Sequence, residues 1–126
     1  MQMTKKISIV YAEDSKSVAK VVMTKLKTEG YDIFYFENGQ GVVEAVIKNR
    51  PSVVILDNEM PVKDGMSILR ELKVHPEVKN IPVIFLTTFH DQQSVIKCLE
   101  LGVADYIVKD PLALSEIVPR IKKWLR

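Results

Sequence analysis

Residues 53–57 read Val-Val-Ile-Leu-Asp, four aliphatic residues followed by a carboxylate. An apolar run this short and this continuous is typical of a strand that is buried on both faces, as in a parallel sheet. Residues 83–86 read Val-Ile-Phe-Leu and lead into Thr87, which repeats the arrangement. We therefore expect a parallel sheet between layers of helices, with polar side chains where its strands end.

The rest of the chain alternates between two hydrophobic patterns, and each pattern predicts one kind of element. Short runs rich in branched or aromatic residues predict strands at residues 7–11, 33–36, 53–56, 83–86 and 106–108. Elsewhere, apolar residues recur every three or four positions, as on one face of an amphipathic helix. These helical stripes are Val18, Val22 and Leu26; Val42, Val43, Val46 and Ile47; Met66, Leu69 and Leu72; Val95, Ile96 and Leu99; and Leu114, Ile117, Val118, Ile121, Trp124 and Leu125.

Five strand–helix units in strict alternation predict an α/β fold with a doubly wound, five-stranded parallel sheet in the order 2-1-3-4-5. This order places the second strand at an edge, which suits the polar Asp32 beside it. Ser15 and Asp91 are expected to cap the helices that follow them. No linker divides the sequence, so residues 1–126 are expected to form a single domain.

Composition and charge exclude several classes of protein. The 126 residues are 47% apolar, and 18 lysines and arginines stand against 16 aspartates and glutamates, a net charge of +2. So small an excess gives no reason to expect a nucleic-acid or membrane-surface binder. One cysteine excludes a disulfide framework and a multi-cysteine metal site, and no apolar run approaches the roughly 20 residues of a transmembrane helix. We expect a cytoplasmic domain.

Acidic residues follow the first and third predicted strands. Glu13 and Asp14 come after the first strand, and Asp57 comes directly after the third. Since these strands are neighbours in the predicted order, the three carboxylates should converge and repel one another unless a cation lies among them. Oxygen ligands without His or Cys favour a hard divalent ion, Mg²⁺ first.

Two other polar residues end the remaining strands on that side of the sheet. Lys109 follows the fifth strand and Thr87 follows the fourth, so an ammonium and a hydroxyl should face the carboxylates. This set suits a phosphoryl group, whose oxygens Lys109 and the metal would neutralise while a carboxylate attacks phosphorus. Asp57 is the best candidate for that nucleophile, Asp14 for a direct metal ligand, and Glu13 for a ligand through water.

Taken singly, each of these residues has an ordinary interpretation as a solvated turn, a loop cap, a strand former or a surface amine. Only their convergence at the carboxyl ends of the strands favours a functional site. The site prediction therefore depends on the predicted strand order.

Five motifs in this chain, in order and spacing, are similar to those of the receiver domain of bacterial two-component response regulators. They are Glu13-Asp14-Ser15-Lys16, Val53-Val54-Ile55-Leu56-Asp57, Met60-Pro61 with Asp64-Gly65, Pro-Val-Ile-Phe-Leu-Thr at 82–87 and Ala-Asp-Tyr-Ile-Val-Lys at 104–109. The resemblance implies a flavodoxin-like fold in which Asp57 takes phosphate from a histidine kinase, a phosphotransfer protein or a small acyl phosphate. It also implies that the backbone carbonyl of Glu59 completes the metal ligands, and that Thr87 and Tyr106 form a switch pair.

The resemblance implies a signalling module rather than an enzyme, one that catalyses only its own phosphorylation and dephosphorylation. A phosphoryl group adds negative charge and acceptor oxygens, so Thr87 and Lys109 would gain partners and draw their loops inward. We expect helix 4, strand 5 and helix 5, including Val95, Lys97 and Val108, to change their affinity for a downstream partner or a fused output domain. A phosphorylation-dependent homodimer is a further expected partner, whereas nucleic acid and membrane are not.

The sequence departs from the family pattern near its end. Asp110 stands where related receivers usually have proline, so a cis Lys109–Asp110 bond would cost about 3 kcal/mol, and a trans bond would change the reach of Lys109. Pro119 falls within the last helical stripe. It should bend or break that helix unless the helix starts near Ser115.

Three residues beside the phosphoacceptor and the switch threonine are expected to tune access to the site. They are Glu59, Thr88 and Phe89. Thr88 stands where a smaller residue is common in the family, and its bulk should slow the entry of a phosphodonor.

Two other function classes share parts of this pattern. A small phosphohydrolase would also use Asp57 as nucleophile, but such enzymes normally carry a second Asp two residues on, where this chain has Glu59. A flavin-binding flavodoxin would share the topology, but its phosphate loop should be free of carboxylates. Within the receiver interpretation, a single-domain regulator and a domain of a longer protein remain equally open.

Overall fold

The structure is a computed structural model that describes residues 6–88 and 92–125. Strands and helices alternate along it: β1 (Ser8–Ala12), α1 (Lys16–Thr28), β2 (Asp32–Phe36), α2 (Val42–Asn49), β3 (Val53–Leu56), α3 (Gly65–Lys73), β4 (Val83–Thr87), α4 (Gln92–Glu100), β5 (Asp105–Val108), α5 (Pro111–Ser115) and α6 (Ile117–Lys122). All five predicted strands are confirmed, and each of their bounds differs from the prediction by at most one residue.

The five strands form one parallel sheet in the order β2-β1-β3-β4-β5, as predicted. β3 and β4 are buried along their whole length, because helices cover both faces of the sheet there. β2 lies at an edge, where Asp32 and Phe34 are exposed. In the register of the central pair, Ala12 is opposite Leu56, so β1 and β3 end side by side.

The core consists of two apolar layers, one on each face of the sheet. One layer includes Val10, Leu56 and Phe85 and packs against α2, α3 and α4. The other includes Ile9 and Ile55 and packs against α1 and α6. The predicted stripes of α1, α2 and α3 supply buried residues to these layers.

The stripe predicted for α4 is wrong. Ile96 and Leu99 are 45% and 54% exposed, and Val95 is half-buried. The only fully buried residue of α4 is Cys98. The inner face of this helix carries Cys98 and, three residues before it, the half-buried Val95, so Ile96 and Leu99 lie to one side of that face.

The last helical stripe is divided in two, as Pro119 predicts. α5 ends at Ser115 and α6 begins at Ile117. Proline has no N–H with which to bond the carbonyl four residues earlier, that of Ser115, so a continuous helix loses a hydrogen bond there. Ile117 is fully buried, whereas Trp124 is 38% exposed and adds little to the core.

The helix starts agree with the predictions as far as the structure describes them. Ser15 caps α1, where its hydroxyl accepts a hydrogen bond from the Val18 amide at 3.4 Å. Asp91 lies outside the described residues. Within those residues, no helix is both long enough and apolar enough to span a bilayer.

Candidate functional site

Three carboxylates meet where β1 and β3 end. Glu13 follows Ala12 and Asp57 follows Leu56, and those two strand residues are register partners. Glu13, Asp14 and Asp57 each offer a carboxylate oxygen within 4.8 Å of the others. Glu13 is fully buried and Asp57 is 2% exposed, whereas Asp14 is exposed. The group therefore has a buried floor and one side open to solvent.

Lys109 reaches this group from the end of β5. Its Nζ donates to Glu13 Oε2 at 2.6 Å and to Asp57 Oδ2 at 3.0 Å. No cis peptide bond occurs among the described residues, so the Lys109–Asp110 bond is trans and the lysine still reaches the carboxylates. Asp110 caps the N-terminus of α5, where its Oδ1 accepts a hydrogen bond from the Ala113 amide at 2.8 Å.

Glu13 is held by more groups than any sequence pattern indicated. The Ser15 amide donates to Oε2 at 3.1 Å, and the Tyr11 hydroxyl lies 3.5 Å from Oε1. The Tyr35 hydroxyl donates to the Glu13 backbone carbonyl at 2.6 Å. Neither tyrosine was predicted to contribute. Tyr11 lies two residues before Glu13 and so on the same side of the strand, which is the signal that could have identified it.

Burial and mutual repulsion set the ionisation of the group. Burial, with a smaller contribution from the charge of Glu13, raises the pKa of Asp57 to about 7, although its hydrogen bond to Lys109 acts in the opposite sense. For Lys109, burial alone would lower the pKa, but its hydrogen bonds to Glu13 and Asp57 outweigh that effect and raise it. Lys109 therefore stays charged, while Asp57 lacks enough positive charge around it to ionise in its usual range.

The loop after Asp57 is tied to α3 by backbone and side-chain hydrogen bonds. The Glu59 amide donates to Asp57 Oδ1 at 3.2 Å. Asn58 accepts twice, from the Gly65 amide at its carbonyl and from the Met66 amide at its Oδ1. A Cβ on Gly65 would stand 2.6 Å from the Asp57 carbonyl oxygen, so only glycine allows α3 to start this close to the site.

The remaining predicted residues lie on the β4 and β5 side of the site. Thr87 is buried at the end of β4, and its carbonyl accepts from the Lys109 amide at 2.9 Å. Tyr106 is half-buried on β5, with its ring centre 6.5 Å from that of Phe85. At the mouth of the site, the Thr88 hydroxyl donates to Glu59 Oε1 at 3.1 Å. Phe89 lies outside the described residues.

The donor set fits a divalent cation. Among the described residues, the carboxylates of Glu13 and Asp57 share the ammonium of Lys109, and both are buried, where uncompensated charge is costly. Glu13, Asp14 and Asp57 offer only oxygen ligands, which suit hard ions such as Mg²⁺ or Mn²⁺.

The family model of the response regulator receiver domain matches residues 9–122. This chain belongs to that family. Receiver domains are signalling modules rather than enzymes in the usual sense, and membership does not favour the phosphohydrolase or flavodoxin interpretation. Glu13, Asp14, Asp57 and Lys109 all lie within the matched residues.

Similar solved structures include receivers in several chemical states. The Mn²⁺-bound form of response regulator Rcp1 is 31% identical, with a TM-score of 0.83 and 95% of each chain covered. The BeF₃-activated receiver domain of Klebsiella pneumoniae RstA is 29% identical, with a TM-score of 0.83, over 94% of this chain and 98% of that one. The phosphorylated cyanobacterial phytochrome response regulator RcpA is 26% identical, with a TM-score of 0.84, over 96% of this chain and 94% of that one.

Proposed function

We propose that this receiver domain accepts a phosphoryl group on Asp57 from a histidine kinase, a phosphotransfer protein or a small acyl phosphate, with Mg²⁺ as cofactor. The observation that supports this most is the meeting of three carboxylates and Lys109 at one edge of the sheet. The Mn²⁺-bound, BeF₃-activated and phosphorylated relatives favour the same chemistry.

In the proposed reaction, an Asp57 carboxylate oxygen attacks phosphorus and the bond from phosphorus to the donor's leaving group breaks. The product is an acyl phosphate on Asp57. Lys109, already 3.0 Å from Asp57 Oδ2, would stabilise the negative charge on the transferred oxygens. Asp14, Asp57 and the Glu59 carbonyl would hold the Mg²⁺ directly and Glu13 through water, and the ion would supply further charge neutralisation.

The proposed signal moves from the phosphoryl group to α4, β5 and the last predicted helix, which the structure divides into α5 and α6. Thr87 and Lys109 would bind the new oxygens, and the Tyr106 ring would turn inward. A cavity of about 190 Å³ beside this ring gives it room, and Asn58, Met66, Phe85, Ser94, Lys97, Cys98 and Tyr106 line that cavity. The surface that would change includes Val95, Lys97 and Val108.

Access to Asp57 would be tuned by the residues at the mouth of the site. The hydrogen bond from Thr88 to Glu59 joins the loop after β3 to the loop after β4. A phosphodonor on its way to Asp57 would have to pass this bridge. We extend the same role to Phe89 from its place in the sequence alone.

The proposed setting is the cytoplasm, with a sensor kinase or phosphotransfer protein upstream. Downstream, the changed surface would act on a partner protein, on an output domain of the same chain, or on a second copy of itself. We propose no direct contact with nucleic acid, because the net charge of +2 gives no excess of positive surface for it.

The test is phosphorylation with radiolabelled acetyl phosphate and Mg²⁺. We expect a single phosphoryl group per chain in the wild type and none in Asp57→Asn. Asp32→Asn is the matched control, because Asp32 is exposed and paired only with Lys6 at 3.2 Å in the described structure. Equal labelling of the Asp57 variant, or continuous turnover of p-nitrophenyl phosphate, would contradict the proposal. Sedimentation of the labelled protein measures dimerisation.

A further inference from the structure

Two tyrosines link the edge strand to the acidic group. Tyr11 on β1 and Tyr35 on β2 are register partners, and their ring centres are 5.8 Å apart with the planes tilted by 53°. Tyr11 is fully buried, and Tyr35 is half-buried at the edge of the sheet. The Tyr35 ring thus rests on a rigid neighbour, which fixes the direction of its hydroxyl.

The hydroxyl of Tyr35 binds the backbone at the peptide unit that precedes Asp14. It donates to the Glu13 carbonyl at 2.6 Å, and that carbonyl belongs to the peptide unit joining Glu13 to Asp14. The Glu13 amide donates to the Phe36 carbonyl at 2.9 Å. Because a peptide unit is planar, holding its carbonyl also sets the direction in which the chain enters Asp14.

We propose that Tyr35 is a positioning residue for the divalent cation, acting through the Glu13–Asp14 peptide rather than by contact with the ion. This inference rests on the proposed function. Asp14 is exposed and so has little packing to hold it, and a hydrogen bond to its peptide provides that restraint.

The test uses Mn²⁺ alone as the probe, with the free ion measured by electron paramagnetic resonance. Tyr35→Phe removes the hydroxyl and keeps the ring on Tyr11, so the fold should persist. We expect its Mn²⁺ dissociation constant to rise about tenfold, as for other groups that orient metal ligands. Tyr31→Phe is the matched control, because Tyr31 is also half-buried and its hydroxyl makes no hydrogen bond among the described residues.

The outcomes separate this inference from the proposed function. A wild-type chain that retains no Mn²⁺ would overturn both. Wild-type binding together with a Tyr35→Phe dissociation constant within twofold of it would overturn only the role of Tyr35. Tyr35→Leu removes ring and hydroxyl together, and a loss confined to this variant would assign the effect to packing and would also overturn the proposal. Urea unfolding of each variant checks that affinity is measured on folded protein.

Discussion

α3 and α4 both have nine residues, yet they are held to the sheet very differently. α3 buries Gly65, Ile68, Leu69 and Leu72, whereas α4 buries only Cys98. Both helices pack on the same face of the sheet, where α3 follows the loop after Asp57 and α4 follows the segment after Thr87. Asp57 is therefore followed by the firmly packed helix, and Thr87 is followed by the loosely packed one.

This difference in packing indicates which of the two helices can move in response to a signal. A helix with little buried apolar surface costs little free energy to move, and mobile elements are usually of this kind. A metal site needs the opposite property, because its ligands must stay in place. The packing of α3 therefore suits the support of Asp57, and the packing of α4 suits movement.

The largest expected effect comes from truncating the same residue type in each helix. Leu69→Ala in α3 should lower the free energy of unfolding by about 3 kcal/mol, because Leu69 is fully buried. Leu99→Ala in α4 should lower it by less than about 0.5 kcal/mol, because Leu99 is 54% exposed. Urea denaturation measures both. Equal losses would remove the basis of the comparison.

Lys109 reaches Glu13 and Asp57 from the end of β5. Its removal should lower the free energy of unfolding nearly as much as Leu69→Ala does. Lys109→Met leaves Glu13 and Asp57 buried without their shared ammonium, so we expect a loss of about 2 to 3 kcal/mol at pH 7.5 without metal. The control is Lys63→Met, which breaks the half-exposed pair with Glu71 and should cost less than about 1 kcal/mol. A smaller loss for Lys109 than for Lys63 would contradict this account.

The pH dependence of stability tests whether burial beside other carboxylates raises the pKa of Asp57. From about pH 4 to 7, metal-free folded protein keeps a proton on Asp57 that the unfolded chain has released, because its folded pKa is raised to about 7. The folded state binds more protons, so stability should fall as pH rises through this window, by up to about 4 kcal/mol. In Asp57→Asn, the free energy of unfolding should not show this fall with pH. The variant should therefore be more stable than the wild type at pH 8. Urea denaturation in EDTA at pH 5 and 8 measures it, and a steeper fall in the variant would be the contrary result.

The smallest expected effect concerns the bridge at the mouth of the site. Thr88→Ala removes the hydrogen bond to Glu59 and should speed phosphorylation by acetyl phosphate about threefold, the effect of one weak hydrogen bond. The control is Thr24→Ala, which removes an exposed threonine hydroxyl on α1 and should leave the phosphorylation rate unchanged. A slower rate in the Thr88 variant would show that the bridge does not hinder entry.

Strand positions and strand order could be predicted from the sequence because they depend on local hydrophobic runs and on general rules of α/β topology. The convergence of Glu13, Asp14 and Asp57 followed from that order. The inner face of α4 could not be predicted, since Ile96 and Leu99 have the residue types of a core and only tertiary packing decides which side of a short helix is covered.

The contact of Tyr35 was also beyond sequence reasoning. Tyr11 lies two residues before Glu13, so strand alternation could have placed it on the same side, but nothing in the apolar run of Tyr35 shows that its hydroxyl reaches the Glu13 carbonyl. The predicted topology already directs the Lys109 ammonium toward the carboxylates, but whether it reaches them through a trans bond to Asp110 depends on the path of the loop rather than on residue type.

The identity of the phosphorylated residue is the most direct test of the account. Borohydride reduces an aspartyl phosphate to homoserine, which peptide mass spectrometry can locate after treatment with acetyl phosphate and Mg²⁺. The account predicts homoserine at position 57 and at no other acidic residue. Reduction at Asp14 or Glu13, or an unreduced Asp57 in protein that carries the phosphoryl group, would contradict it.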